Sequence, residues 1–189
     1  TVYVLNRYFQ AMGAAIEAAG GHVDKFIGDG IMALFGLDGD AAAGARRSLR
    51  AAIAMEQALE RLNTELEGDL PEPLRMVVAL HQGSAIVGEM GYGRSTSLTA
   101  IGDAVNVTSR LEGIAKENDV PLVVSAELLE RAGVNGLDLP TRTVAIRGRR
   151  EPLVVSLIQQ PEDLPTVKLE PATEPPSRRW PWTARAGVG

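Results

Sequence analysis

The chain has 189 residues, 45% of them hydrophobic, and a formal net charge of −5. That length suits one ordinary domain plus some extra sequence, and the modest negative charge excludes a polybasic nucleic-acid or membrane surface, so no nucleic-acid partner is expected. With no cysteine and only His22 and His81, disulfides, thiolate or histidine-rich metal sites and a Ser-His-Asp triad drop out, and the composition fits a reducing cytosol.

Helical periodicity is already under way at the start, with Leu5, Phe9, Met12 and Ile16 spaced four, three and four. Thr1 is not an initiator methionine, so the chain reads as a fragment that begins inside a helix. Gly20-Gly21 supplies the stop. Two apolar runs then flank Gly28-Asp29-Gly30, which predicts two antiparallel strands joined by a very tight turn. Lys25 lies inside the first run, sharing a face with Val23 and Ile27, and Asp29 lies at the turn. Charges in such places cost solvation energy unless something pairs with them.

Residues 38–67 predict a long amphipathic helix with Leu49, Ile53, Leu59, Leu62 and Leu66 on one stripe, ended by Pro71 and Pro73. Residues 76–80 read as a buried strand and 84–88 as its neighbour, followed by a flexible loop over 91–95. A helix opens near Gly102-Asp103 and reaches Ala115-Lys116. Residues 121–124 read as a short strand, 126–132 as a short helix, and 141–147 with 153–158 as a last strand pair. Beyond Gln160 six of the eleven prolines fall between Pro161 and Pro181, so 160–189 is expected to be a disordered tail. Its Trp180-Pro181-Trp182, beside Arg178 and Arg179, reads as part of a solvated segment, with contact to a partner or membrane surface as the lesser reading. No apolar stretch has the length of a membrane-spanning helix, and no signal peptide is visible.

The hairpin alone is ambiguous, because Asp-Gly is a good turn dipeptide. A second block sharpens it: Leu98-Thr99-Ala100-Ile101-Gly102-Asp103-Ala104-Val105-Asn106-Val107-Thr108-Ser109-Arg110-Leu111-Glu112. Together with Leu5-Asn6-Arg7-Tyr8-Phe9 and Ile146-Arg147-Gly148-Arg149, these segments resemble, in order, the catalytic domains of the class III nucleotidyl cyclases. The resemblance covers about residues 1–158, and it implies a catalytic domain over 1–159. The implied fold is α+β: a ferredoxin-like antiparallel sheet with flanking helices. Its first strand, with one of two metal-binding aspartates, would precede Thr1. Neither Asp24 nor Asp38 stands in a matching position, so the fragment by itself is not expected to assemble a two-metal site.

Each matched residue also has chemistry of its own. Asp29 resembles the family's second metal aspartate. A carboxylate held on a tight turn suits Mg²⁺ or Mn²⁺, of which the resemblance implies two per site; otherwise Asp29 is a plain turn residue. Lys25 resembles the purine-reading lysine. An ammonium only donates, so it suits N1 of adenine rather than the N1–H of guanine; otherwise it snorkels to solvent from an edge strand. Thr99 matches the companion position, where a hydroxyl can accept from the adenine 6-amino group. Threonine both donates and accepts, so it discriminates weakly by itself. Asn106 and Arg110, four apart, share a helix face. The resemblance gives Asn106 the ribose and Arg110 the charge that builds on the α-phosphate, a task suited to a planar, permanently charged fork. Arg147 aligns with a basic residue that contacts the terminal phosphates, with Arg149 and Arg150 as close alternatives. Asp103 favours the helix N-terminus through its charge, and His81 reads as a satisfied core or interface residue.

The resemblance implies an adenylate cyclase that turns ATP into 3′,5′-cyclic AMP and pyrophosphate in intracellular signalling. It also implies a homodimer with sites at its interface, an upstream sensor or regulatory domain, and a cytoplasmic location, alone or within a larger or membrane-anchored protein. In that geometry Asp29 serves one site while Lys25 reads adenine in the other. Two other readings share the sequence: a guanylate cyclase, and a non-catalytic nucleotide-binding or dimerising module.

Overall fold

A computed structural model describes residues 2–92, 95–134, 138–146 and 148–164. In chain order the elements are α1 (Val2–Ala18), β1 (His22–Ile27), β2 (Gly30–Leu34), α2 (Ala41–Glu65), β3 (Val78–Leu80), β4 (Ile86–Tyr92), β5 (Ser95–Ile101), α3 (Asp103–Glu117), β6 (Leu122–Ser125), α4 (Ala126–Ala132), β7 (Thr141–Val144) and β8 (Leu153–Ile158). The order and the mixed α+β content follow the expected fold class.

The centre is a four-stranded sheet in the order β3-β6-β8-β7, with β3 parallel to β6 and the other pairs antiparallel. Strand β6 is buried at every position, which its unbroken apolar run Leu122-Val123-Val124 anticipates. Alternation along it divides the core. Leu122 and Val124 join Leu49 of α2 and Leu128 and Leu129 of α4. Val123 turns the other way, to Val107, Leu111 and Ala115 of α3. Helices therefore cover both faces, a three-layer arrangement that buries the apolar stripe of each helix.

Helix α2 starts at Asp40, whose carboxylate accepts from the Ala43 N–H at 2.8 Å and so satisfies one orphan donor of the first turn. Its predicted stripe is buried at Leu49, Leu59, Leu62 and Leu66, with Ile53 packed at the edge. Met12 of α1 packs against Ala58 and Leu59 of α2, and Ile31 of β2 closes that cluster. Arg7 of α1 pairs with Glu65 of α2 at one end of this contact. Gly44 fixes the approach of α2 to the first hairpin: a Cβ there would stand 2.6 Å from the Gly36 Cα.

Two expectations are corrected. The segment predicted as the neighbour of the 76–80 strand is instead the start of β4, which pairs with β5 from Ile86↔Ile101 to Tyr92↔Ser95. Most of the predicted loop, Gly91, Tyr92 and Ser95, lies on that ladder. The physical reason is partner availability. A close-ended hairpin joins β4 to the adjacent β5, while the apolar β3 finds the buried β6. Residues just beyond 159 also pack against the core. Pro161–Asp163 forms a 3₁₀ turn, and Leu164 is buried in the α2–α4 cluster. The rest of the tail, 165–189, lies outside the described residues.

Candidate active site

The first hairpin carries the expected tight turn, with Gly28 in the left-handed region at φ +62°. Its ladder is not regular. His22↔Leu34 and Val23↔Ala33 are followed by Lys25↔Met32, so Asp24 is an extra residue in β1, a β-bulge. Strict alternation would put Asp24 and Lys25 on opposite faces. The bulge brings both side chains to one side, facing β5 of the second hairpin.

There they meet Thr99. The Lys25 ammonium donates to Thr99 Oγ1 at 2.6 Å, and the Thr99 hydroxyl donates to Asp24 Oδ2 at 2.7 Å. The Ala100 N–H reaches the same carboxylate oxygen at 3.4 Å, and Lys25 Nζ lies 3.5 Å from Asp24 Oδ1. The Asp24 side chain is fully buried, whereas the Lys25 side chain is 41% exposed. Thr99 is buried at 6%. The apolar setting requires the two charges to be paired, and the Lys25 side chain remains partly open to solvent. Lys25 and Thr99, 74 residues apart, are thus the two predicted site residues the structure brings into direct contact.

Asp29, Asn106 and Arg110 make no hydrogen bond or ion pair with this cluster. Asp29 is exposed at the turn and makes no side-chain hydrogen bond or ion pair among the described residues. Its charge acts on Lys116 of α3 and on Tyr8 of α1, whose hydroxyl is held above its ordinary range by burial first and then by Asp29 and Glu112. Among the described residues no group of three or more His, Asp or Glu side chains could hold a metal ion. A lone exposed carboxylate supplies one hard oxygen donor, so a cation held there would take its remaining ligands from water or a substrate's phosphates.

Asn106 and Arg110 lie one turn apart on the exposed face of α3, while Val107 and Leu111 beside them are fully buried. Neither polar side chain has a hydrogen bond or ion pair among the described residues. Gly102 opens this helix at φ +149°, where a Cβ would meet the Ser84 carbonyl oxygen at 3.2 Å; no side chain fits that approach comfortably. Asp103 occupies the first turn of α3, as expected, and Arg149 lies 3.8 Å from it. Arg147 lies outside the described residues.

Asp24 is the residue that reading the sequence missed. The available signal was the Asp-Lys pair itself. Two adjacent charges inside an apolar strand can serve each other only if a bulge turns both to one side.

His81 follows β3 and contacts Ser125 Oγ through Nδ1 at 3.0 Å, half-buried and partnered. Burial lowers its pKa below 6.5, with Arg149 adding to that and Glu127 and Asp103 opposing it. A histidine held neutral by the fold contributes stability above its unfolded pKa, which is lost as pH falls towards and through the lowered folded value. Thermal melts from pH 8 to pH 5 are expected to show a decline below pH ~6.5 that His81→Asn flattens. An equal decline in both proteins would remove His81 from the explanation.

A three-layer α+β core with two added hairpins, a Gly-Asp turn and an Asn-x-x-x-Arg helix face together define a nucleotidyl cyclase domain. The chain belongs to the adenylate and guanylate cyclase catalytic domain family, whose model matches residues 1–157. It is 35% identical over 159 residues to an adenylate cyclase of Anabaena cylindrica, covering 80% of this chain and 30% of that protein. It is 31% identical over 149 residues to adenylate cyclase 1 of Rhizobium meliloti, covering 78% and 22%. The chain thus spans less than a third of the length of these curated relatives. The crystal structure of the guanylyl cyclase Cya2 superposes with a TM-score of 0.72 at 31% identity, over 86% of this chain and 83% of that one. The adenylyl cyclase CyaB from P. aeruginosa, at 24% identity and a TM-score of 0.70, shares the fold over 83% and 81%. Among the described residues no helix is long and apolar enough to cross a membrane.

Proposed function

We propose that the protein carrying this domain converts ATP to 3′,5′-cyclic AMP and pyrophosphate, at sites formed between two copies of the domain. One observation carries the purine assignment: the hydrogen bond between Lys25 and Thr99. Overall similarity does not choose the base, since relatives named for either nucleotide match this chain. The pair supports adenine, because an ammonium only donates and so suits adenine N1, whereas the guanine N1–H would be left facing another donor.

The remaining roles follow from chemistry and placement. Asn106 orients the ribose so that its 3′-hydroxyl faces the α-phosphorus, which turns a loose encounter into an aligned one. Arg110 meets the charge developing on the α-phosphate. Arg147 is assigned the terminal phosphates. Asp29 holds a divalent cation, Mg²⁺ or Mn²⁺, two of which are assigned to each site. Bound there, such ions neutralise phosphate charge and favour ionisation of the attacking hydroxyl.

Shared sites are supported by two features. Asp29, Asn106 and Arg110 all face outward without partners among the described residues. The hairpins also expose Phe26 and Ile27 on β1, with Ile86 opposite Ile101 on the second ladder, apolar surface of the kind that marks an interface. A sensor or regulatory domain elsewhere in the protein, and a role in intracellular signalling, complete the proposal.

The test is a change of base preference. In the protein that carries this domain, Lys25→Glu with Thr99→Cys is expected to reverse the ratio of kcat/KM for ATP to that for GTP, by ~10² or more. An unchanged ratio would sink the adenine assignment.

A further inference from the structure

We propose that Asp24 is a specificity-determining residue: it commits the Thr99 hydroxyl proton inward, so that Thr99 can only accept from a bound base. This rests on the adenine-reading role proposed for Lys25 and Thr99 and explains what makes their pattern one-way.

The Thr99 hydroxyl sits between an ammonium, which has only donors, and a carboxylate, which has only acceptors. Its single proton must go to Asp24 Oδ2, and one lone pair is taken by Lys25. One lone pair remains. Lys25 spends one proton on Thr99, and its 3.5 Å contact with Asp24 Oδ1 is an ion pair without a hydrogen bond, so the ammonium keeps a donor for a ligand. The cluster therefore offers a ligand one donor and one acceptor, fixed side by side. Adenine presents the complement, an acceptor at N1 and a donor at its 6-amino group. Guanine presents the reverse, a donor at N1 and an acceptor at O6, so each group would face its like.

Without Asp24, the threonine proton is free to rotate outward and satisfy O6. Threonine by itself is indifferent to the base, and the buried carboxylate removes that indifference. The acceptor also has a backbone anchor, the Ala100 N–H at 3.4 Å, which helps hold the carboxylate in place. Oδ1 is buried with no hydrogen bond of its own, only the ion pair with Lys25. An unsatisfied buried carboxylate oxygen is costly, and its place in this cluster gives it a reason to persist. Asp24 touches neither base nor phosphate in this assignment and acts through the Thr99 hydroxyl, so it is a positioning residue.

The test measures kcat/KM for ATP and for GTP in the protein carrying this domain. Asp24→Ala, and Asp24→Leu, which refills the buried space without an acceptor, are each expected to lower the ATP:GTP ratio ~10-fold or more. Thr99→Val should lower it to a similar value. The double variant Asp24→Ala/Thr99→Val should go no lower than Thr99→Val alone, because Asp24 acts through that hydroxyl. Asp24→Asn, whose amide oxygen can still accept the Thr99 proton, should retain most of the preference. A folded Asp24→Ala or Asp24→Leu protein that slows on both nucleotides with its ratio intact overturns this inference and leaves the adenine assignment standing. So does a double variant in which the two effects add. A wild-type protein that turns over neither nucleotide, or prefers GTP, overturns the parent assignment and this one with it.

Discussion

Arg110→Ala, in the protein that carries this domain, is expected to lower kcat for ATP cyclisation by ~10²–10³-fold, the scale of loss when one preorganised group facing developing charge is removed. The argument begins with where the side chain is not used. Val107 and Leu111 bury the inner face of α3 against β6 and β8, and Arg110 lies outside that contact, exposed. Among the described residues it has no ion-pair partner to leave stranded. The variant should therefore melt within a degree or two of the parent, as surface substitutions away from special features do. Because the charge on the α-phosphate grows as the 3′-hydroxyl attacks, kcat should fall further than KM rises. Arg110→Lys keeps the charge but loses the planar fork, and is expected to fall between the two proteins. Steady-state kinetics with both variants checks this. A kcat for Arg110→Ala within a few-fold of wild type would remove Arg110 from the reaction and return it to the solvated surface.

How much of this was legible beforehand depended on the range of the interaction that decides it. Periodicities within one element read correctly. The stripe on α2 is buried as spaced, and α4 runs over the expected residues because Ala126 and Gly133 bracket a short apolar repeat. The Gly28-Asp29 turn was visible because so few dipeptides suit a two-residue connection. Pairing between segments was not. β4 could be placed beside β3 on sequence alone, since any apolar run can lie beside any other, and only the ladder from Ile86 to Tyr92 shows its partner to be β5. The bulge at Asp24 was the deeper miss. Period-2 reasoning groups Lys25 with Val23 and Ile27, and one extra residue separates Val23 from the other two. The Lys25–Thr99 contact came from resemblance, because nothing local links two residues 74 apart. The third member does not come that way, since the resemblance offers Asp24 only the place of a metal aspartate, which it does not match.

Asp29→Ala is expected to lower turnover by ~10³-fold or more, since a bound divalent cation contributes several kcal/mol to stabilising charge in phosphoryl chemistry. Asp29 is exposed at a two-residue turn, so the substitution should leave the fold intact, and excess Mg²⁺ or Mn²⁺ should restore little. The more searching experiment mixes two inactive proteins. If a site takes its metal-holding carboxylate from one copy and its Asn106–Arg110 face from the other, an Asp29→Ala chain paired with an Arg110→Ala chain makes one site with both defects and one with neither. Random pairing then restores about a quarter of wild-type activity, while either variant alone stays inactive. If Asp29 and Arg110 instead served the same site within one chain, every site in the mixture would carry a defect and no activity would return. The same logic divides the first hairpin. Lys25→Glu should complement Asp29→Ala on mixing but not Arg110→Ala, because Lys25 and Arg110 of one copy belong to one site. Complementation of Lys25→Glu by Arg110→Ala would place the adenine-reading cluster in the same site as the Asp29 of its own chain, and the division of one hairpin between two sites would be wrong.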